Sequence, residues 1–174
     1  GVHVVFGFVG VKTHCKVSLV VRREEDTLRR YVHLATGNYN PDTARVYTDL
    51  GLLTCDPRIA DDVSVLFNYL TGFSDLPNWK RLKVAPSGLR LFLLDRIREE
   101  GQLGEHGRIV AKVNAVLEPS VIQALYEASQ AGCKIDLICR GICALRPGVK
   151  GISETIRVIS IVDRFLEHSR IYYF

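Results

Sequence analysis

The spacing of apolar and polar positions changes several times along the chain, and each change marks a predicted element. VHVVFGFVG (2–10) reads as a short apolar β run in which Gly7 and Gly10 permit a bend or turn. Over residues 14–22 strict alternation sets Cys15, Val17, Leu19 and Val21 on one face and His14, Lys16, Ser18 and Val20 on the other, the pattern of a half-buried strand. The charged RREED (22–26) predicts a solvated turn or a helix start. TLRRYVHLATG (27–37) predicts a third strand, followed by a long polar loop, NYNPDTARVYTDLG. In DPRIADDVSVLFNYLTG the period becomes helical: Asp56 is placed to cap, Pro57 takes the first position, Ile59, Val63, Leu66 and Leu70 form a stripe, and Gly72 ends it.

Around FSDLPNW (73–79) the composition turns loop-like, and a domain boundary is expected near residue 80. Beyond it the chain alternates: strand 81–85, helix 88–101, strand 108–114, helix 118–131, strand 134–140 and strand 155–162, with a last strand-like segment in RIYYF. That order predicts an α/β fold with a mainly parallel sheet and helices packed on it. Sheets of this kind bind ligands beyond the carboxyl ends of their strands, where Asn114, Arg140 and His168 are expected.

Composition narrows the picture only a little. The 174 residues suffice for one compact domain or pieces of two, and 47% apolar with 24% charged residues is an ordinary globular balance. No apolar run approaches the roughly 20 residues needed to cross a bilayer. A formal charge of +4 suits an anionic partner without requiring one. The five cysteines lack metal-site spacing and read as reduced cytosolic thiols. The chain has no Met and opens almost directly in an apolar run, so a piece of a longer protein is expected.

Candidate chemistry changes the picture more. His14 and Lys16 share a strand face, so an imidazole and an ammonium can reach one phosphate-sized anion. His168 and Arg170 repeat the arrangement in LEHSRIYYF. The structural alternative is that both histidines simply bond to backbone at strand starts. Gly37-x-x-Asn40 adds a loop where backbone can approach an anion and an amide can orient an imidazole or a phosphate oxygen. Arg45 and Tyr47 follow within reach of a phosphate or a base, or else belong to an ordinary turn-rich connection. Arg140 ends a buried-type strand and can fork onto phosphate oxygens or serve as a solvated cap. His33 and His106 read as incidental, and Trp79 is given no role. Walker-type Gly-rich and HExxH motifs are absent.

Several long segments carry a resemblance. VKTHCKVSLVVRRE, YVHLATGNYNPDTARVYTDLGLLT and IVAKVNAVLEPSVIQALYEASQAGCKIDLICRGICALRPGVKGISETIRVISIVDRFLEHSRIYYF together closely resemble the ATP-using bacterial polyphosphate kinases, most weakly over about 73–107. The resemblance implies two phospholipase D-like α/β domain pieces, each with a mixed or parallel sheet flanked by helices. Residues 1–80 would be the later part of the first domain and 81–174 the early part of the second.

By motif, the resemblance makes His14 the histidine that becomes phosphorylated. It makes Tyr47, Arg140 and His168 contacts to the ATP phosphates, with His168 also a second catalytic histidine. Lys16, Asn40 and Arg45 are weaker phosphate-contact candidates. The implied function is reversible transfer of the ATP γ-phosphate to inorganic polyphosphate through a phosphohistidine. The implied partners are ATP or ADP and polyphosphate, with no nucleic acid, in a cytoplasmic protein with room for peripheral membrane association and homo-oligomeric at full length. Mg²⁺ is the implied cofactor, held by residues outside this chain, and the chain alone is expected to be inactive. A phospholipase D-type phosphodiesterase or nuclease with a histidine nucleophile is the rival reading. Against it, the wider superfamily carries an Asp five residues after the Lys, where this chain has Val21.

Overall fold

A computed structural model describes residues 1–75 and 78–174. Part of the expected loop 73–79, Leu76 and Pro77, lies outside the described residues. The chain forms two compact units, Gly1–Pro41 with Leu50–Leu82, and Asp42–Asp49 with Lys83–Phe174.

In the first unit, β1 (Lys16–Glu24) and β2 (Thr27–Ala35) form an antiparallel hairpin, and β4 (Gly51–Thr54) adds antiparallel to β2. Glu24 pairs with Thr27 across a two-residue turn in which Glu25 adopts φ 49°. Such turns favour left-handed backbone because it matches the twist of the flanking strands. In RREED, Arg22–Glu24 end β1 and Glu25 and Asp26 make the turn, so no helix starts there. Helix α2 (Pro57–Leu70) begins where Asp56 accepts the Arg58 N–H at 2.8 Å, with Pro57 as its first residue. Its Ala60 and Val63 pack with Val32, Val17, Leu19 and Leu34, so the predicted apolar face of β1 meets the helix. The sheet was expected to be mixed or parallel, but these three strands run antiparallel. A two-residue turn joins β1 to β2, far too short for the crossover that a parallel pair needs.

Three expected strands shift or vanish. Residues 2–10 form no strand: Gly7 and Gly10 take φ of 75° and 80°, which interrupts an extended backbone, and Phe6 is 94% exposed. The strand expected over 14–22 starts at Lys16, leaving His14 just ahead of it, because β2 ends at Ala35 opposite Lys16 and offers no further partner. Residues 81–85 form no strand either. The buried Asp62 carboxylate of α2 accepts the N–H groups of Lys80, Arg81 and Leu82 at 3.1, 2.6 and 2.8 Å, donors that a ladder would have needed.

The second unit carries a four-stranded sheet in the order β7-β6-β5-β9. Its strands β5 (Arg108–Val113), β6 (Lys134–Cys139) and β7 (Ile156–Ile159) are parallel, and β9 (Ile171–Tyr173) pairs antiparallel with β5. Helices α3 (Leu89–Gln102) and α4 (Pro119–Gln130) cover one face. Their Leu94, Ile97, Ala124, Leu125 and Ala128 pack on Ile109, Ala111, Ile135 and Leu137, the alternate positions of β5 and β6. The predicted strand–helix alternation is thus present from residue 88 onward.

One segment leaves its expected place. The polar loop after β2 contains a helical turn, α1 (Pro41–Ala44), and a two-residue strand, β3 (Tyr47–Thr48). β3 pairs in parallel with β8 (Leu166–Glu167), so Asp42–Asp49 belongs to the second unit although its sequence lies within residues 1–80. Leu166 donates to the Val46 carbonyl at 2.8 Å and His168 to the Thr48 carbonyl at 3.1 Å, which fixes this exchange.

Candidate active site

In the first unit, His14 is exposed and Lys16 half-buried at the start of β1. The Lys16 Nζ lies 3.1 Å from each His14 ring nitrogen and donates to the His14 carbonyl oxygen at 2.8 Å. An ammonium only donates, so a ring nitrogen facing it presents a lone pair. The imidazole is exposed, and the adjacent positive charge suits an incoming phosphate.

The sheet face that carries Lys16 also carries a second polar cluster. His33 pairs with Ser18 across β1 and β2, and both meet the Tyr39 hydroxyl, His33 Nδ1 at 2.7 Å and Ser18 Oγ, which donates to it, at 3.0 Å. Tyr39 lies inside Gly37-x-x-Asn40, so these bonds tether the loop bearing Asn40 to the strands. A Cβ on Gly51 would come within 2.9 Å of His33 Nε2, and glycine there leaves the imidazole its room. His33, read from sequence as incidental, is a loop anchor.

In the second unit, His168 is 7% exposed, in the link between β8 and β9. Its Nδ1 lies 2.7 Å from Asp49 Oδ1, and the Tyr47 ring meets its ring edge-on at 5.0 Å. A carboxylate accepts, so Nδ1 carries the proton toward Asp49 and Nε2 is left for chemistry. Arg170 donates to the His168 carbonyl at 2.6 Å, and Arg140, at the end of β6, donates to the Glu167 carbonyl at 3.1 Å. Lys112 of β5 donates to the Glu167 carboxylate and to Ser169 Oγ. The bond from Lys112, with burial opposing it, holds the Glu167 carboxyl below its ordinary range.

The predicted residues therefore fall into two groups. His14 and Lys16 touch in the first unit, with Asn40 on the tethered loop. Tyr47, Arg140 and His168 gather in the second, where Arg45 sits exposed on the turn after α1. Asp49, Lys112 and Glu167 were not singled out from the sequence. The available signals were slight: Asp49 ends the quoted ARVYTD motif, and Lys112 is a lone charge within an apolar strand.

Among the described residues no three His, Cys, Asp or Glu side chains converge as metal ligands. No helix among them is long and apolar enough to cross a membrane. A cavity of about 340 Å³ beside α3, α4, β5 and β9 is lined by Leu93, Ile97, Ile109, Leu125 and Tyr172 with Glu118, and by none of the candidate residues. Its apolar walls do not suit a phosphate.

Comparison with known proteins decides the family. Residues 1–76 match polyphosphate kinase C-terminal domain 1, and residues 82–174 match polyphosphate kinase C-terminal domain 2. The chain belongs to the polyphosphate kinase family. It is 56% identical over 177 residues to a polyphosphate kinase of a Synechocystis species and 52% identical over 178 residues to one of an Exiguobacterium species. These matches cover all of this chain but 24% and 25% of the relatives, so the chain spans about a quarter of their length. The crystal structure of polyphosphate kinase from Porphyromonas gingivalis superposes with a TM-score of 0.82 at 38% identity, over 95% of this chain and 28% of that one. In this chain the segment Asp42–Asp49 lies within the domain 1 match yet folds with the unit that holds the domain 2 match.

Proposed function

We propose that this chain is part of a polyphosphate kinase that reversibly moves the γ-phosphate of ATP to the end of a polyphosphate chain. A ring nitrogen of His14 attacks the γ-phosphorus in line, an N–P bond forms, and the bond to the β–γ bridging oxygen breaks with its electron pair leaving on ADP. A terminal oxygen of polyphosphate then attacks the same phosphorus and the N–P bond breaks, restoring the imidazole. The protein's share is positioning and charge neutralisation, since charge in such a transition state is spread over the phosphoryl oxygens. Lys16 and Arg140 suit that role, with Asn40, Arg45 and Tyr47 as further phosphate contacts. His168, its proton fixed on Nδ1 by Asp49, leaves Nε2 to act as acid or base toward the attacking or leaving oxygen. Mg²⁺ would add further neutralisation at the phosphates. The α/β units read as parts of two phospholipase D-like domains of a cytoplasmic homo-oligomer.

The observation that carries this reading is the exposed His14 imidazole with a lysine ammonium 3.1 Å from its ring nitrogens. The test is incubation of the full-length protein with γ-labelled ATP, followed by assay of acid-labile protein label and of chain synthesis. Wild type should carry the label and His14→Ala should not; label and synthesis both surviving in His14→Ala would rule out this nucleophile.

A further inference from the structure

We infer that Lys112 is a positioning residue for His168, acting through the two residues that flank it. The inference rests on the reading of His168 as a chemical group of the site. Lys112 lies within β5, hydrogen-bonded on one side to β6 and on the other to β9, where it pairs with Ile171. Its backbone is therefore among the more constrained in the unit. The side chain is only 14% exposed, and an ammonium so placed is tolerable only when its protons are accepted.

It donates to the Glu167 carboxylate and to Ser169 Oγ, one on each side of His168. Side chains 167 and 169 thus meet the sheet lysine, while side chain 168 meets Asp49 and Tyr47. Consecutive residues of an extended segment point to opposite sides, so holding both neighbours on one side delivers the imidazole to the other. Arg140 adds a second hold on the same segment through the Glu167 carbonyl. The apolar neighbours of Lys112 in IVAKV need no cation for packing. The arrangement makes sense as a brace that transmits the rigidity of β5 to a segment that is itself outside regular structure at 168–170.

The experiment compares full-length wild type with Lys112→Met, Lys112→Arg and Glu167→Gln, by steady-state kinetics and by crystal structure. Displacing a catalytic group by about 1 Å can cost on the order of 10²-fold in rate. Lys112→Met is expected to lower kcat by about 10- to 100-fold with the KM for ATP within about 3-fold, and its crystal structure to show the His168–Asp49 bond broken. Lys112→Arg should recover most of the rate, and Glu167→Gln, which folds with a neutral acceptor, should fall between. Wild-type kcat in Lys112→Met, an unmoved His168 in its crystal structure, or a kcat no better in Lys112→Arg would each overturn the inference. If the wild-type protein makes no polyphosphate, the proposed function fails, and the crystal comparison still decides whether Lys112 sets the position of His168.

Discussion

His14 and His168 each stand two residues ahead of a basic side chain that donates to the histidine's own carbonyl, Lys16 at 2.8 Å and Arg170 at 2.6 Å. Around that shared backbone device the two surroundings differ. His14 is exposed, just ahead of a strand, with the ammonium against its ring. His168 is buried, with Asp49 on one ring nitrogen, Tyr47 against its edge and its neighbours braced by Lys112. The difference fits the two tasks proposed for these histidines. A nucleophile that must accept and release a phosphoryl group needs open approach, whereas an acid or base needs a fixed tautomer and direction. One sequence motif can thus be turned to either task by what packs on it.

Five variants can break or sharpen this contrast. His14→Ala should cause the largest loss, on the order of 10³-fold or more in polyphosphate synthesis by the full-length protein, because no other group replaces a covalent carrier. Asp49→Asn should lower synthesis by about 10²-fold or more through the wrong tautomer of His168, yet leave acid-labile label on His14. Loss of that label in Asp49→Asn would mean that the two histidines serve one step and the contrast fails.

Asp62→Ala should destabilise the first unit by about 2 kcal/mol, read as a denaturant midpoint, because three backbone N–H groups lose their acceptor. The same residue gives a pH signature. Burial alone would raise the Asp62 carboxyl, but the N–H groups of Leu82, Arg81 and Lys80 outweigh it and hold the group below its ordinary range. A depressed carboxyl stabilises the fold above its unfolded pKa of about 3.9, and that contribution is lost as pH falls through the lower folded value. The acid-side drop in stability should therefore be shallower in Asp62→Asn than in wild type. The smallest effect is expected from Tyr39→Phe, about 1 kcal/mol, from the loss of the bonds to Ser18 and His33. It should loosen the Asn40 loop and leave the surroundings of His168 unchanged, which limited proteolysis of the loop with a general protease can follow.

Much of the fold was legible because it is written in local periods. The helical stripe from Ile59 to Leu70 and the alternation from residue 88 onward need no distant information. What was illegible depended on particular long-range groups. The alternating stretch 81–85 looked like a strand, but a carboxylate on α2 takes its backbone donors. The run 2–10 had strand composition, but two glycines in the left-handed region break it. At the site, His14, Lys16, Tyr47 and His168 could be found by motif. Asp49 could not, because its meaning lies in a histidine 119 residues away, and Lys112 answers to residues 55 and 57 positions on.

The exchanged segment Asp42–Asp49 has a practical consequence for anyone cloning this protein in parts. A cut at the boundary between the two family matches, near residue 80, looks clean on paper. It would strip β8 of its parallel neighbour and His168 of Asp49 and Tyr47 in a single stroke. The downstream piece would keep its sheet and helices and present an intact-looking fold by spectroscopy, yet its histidine would have lost the group that fixes its proton. Absence of activity in such a piece would therefore report on the scissors and not on the histidine.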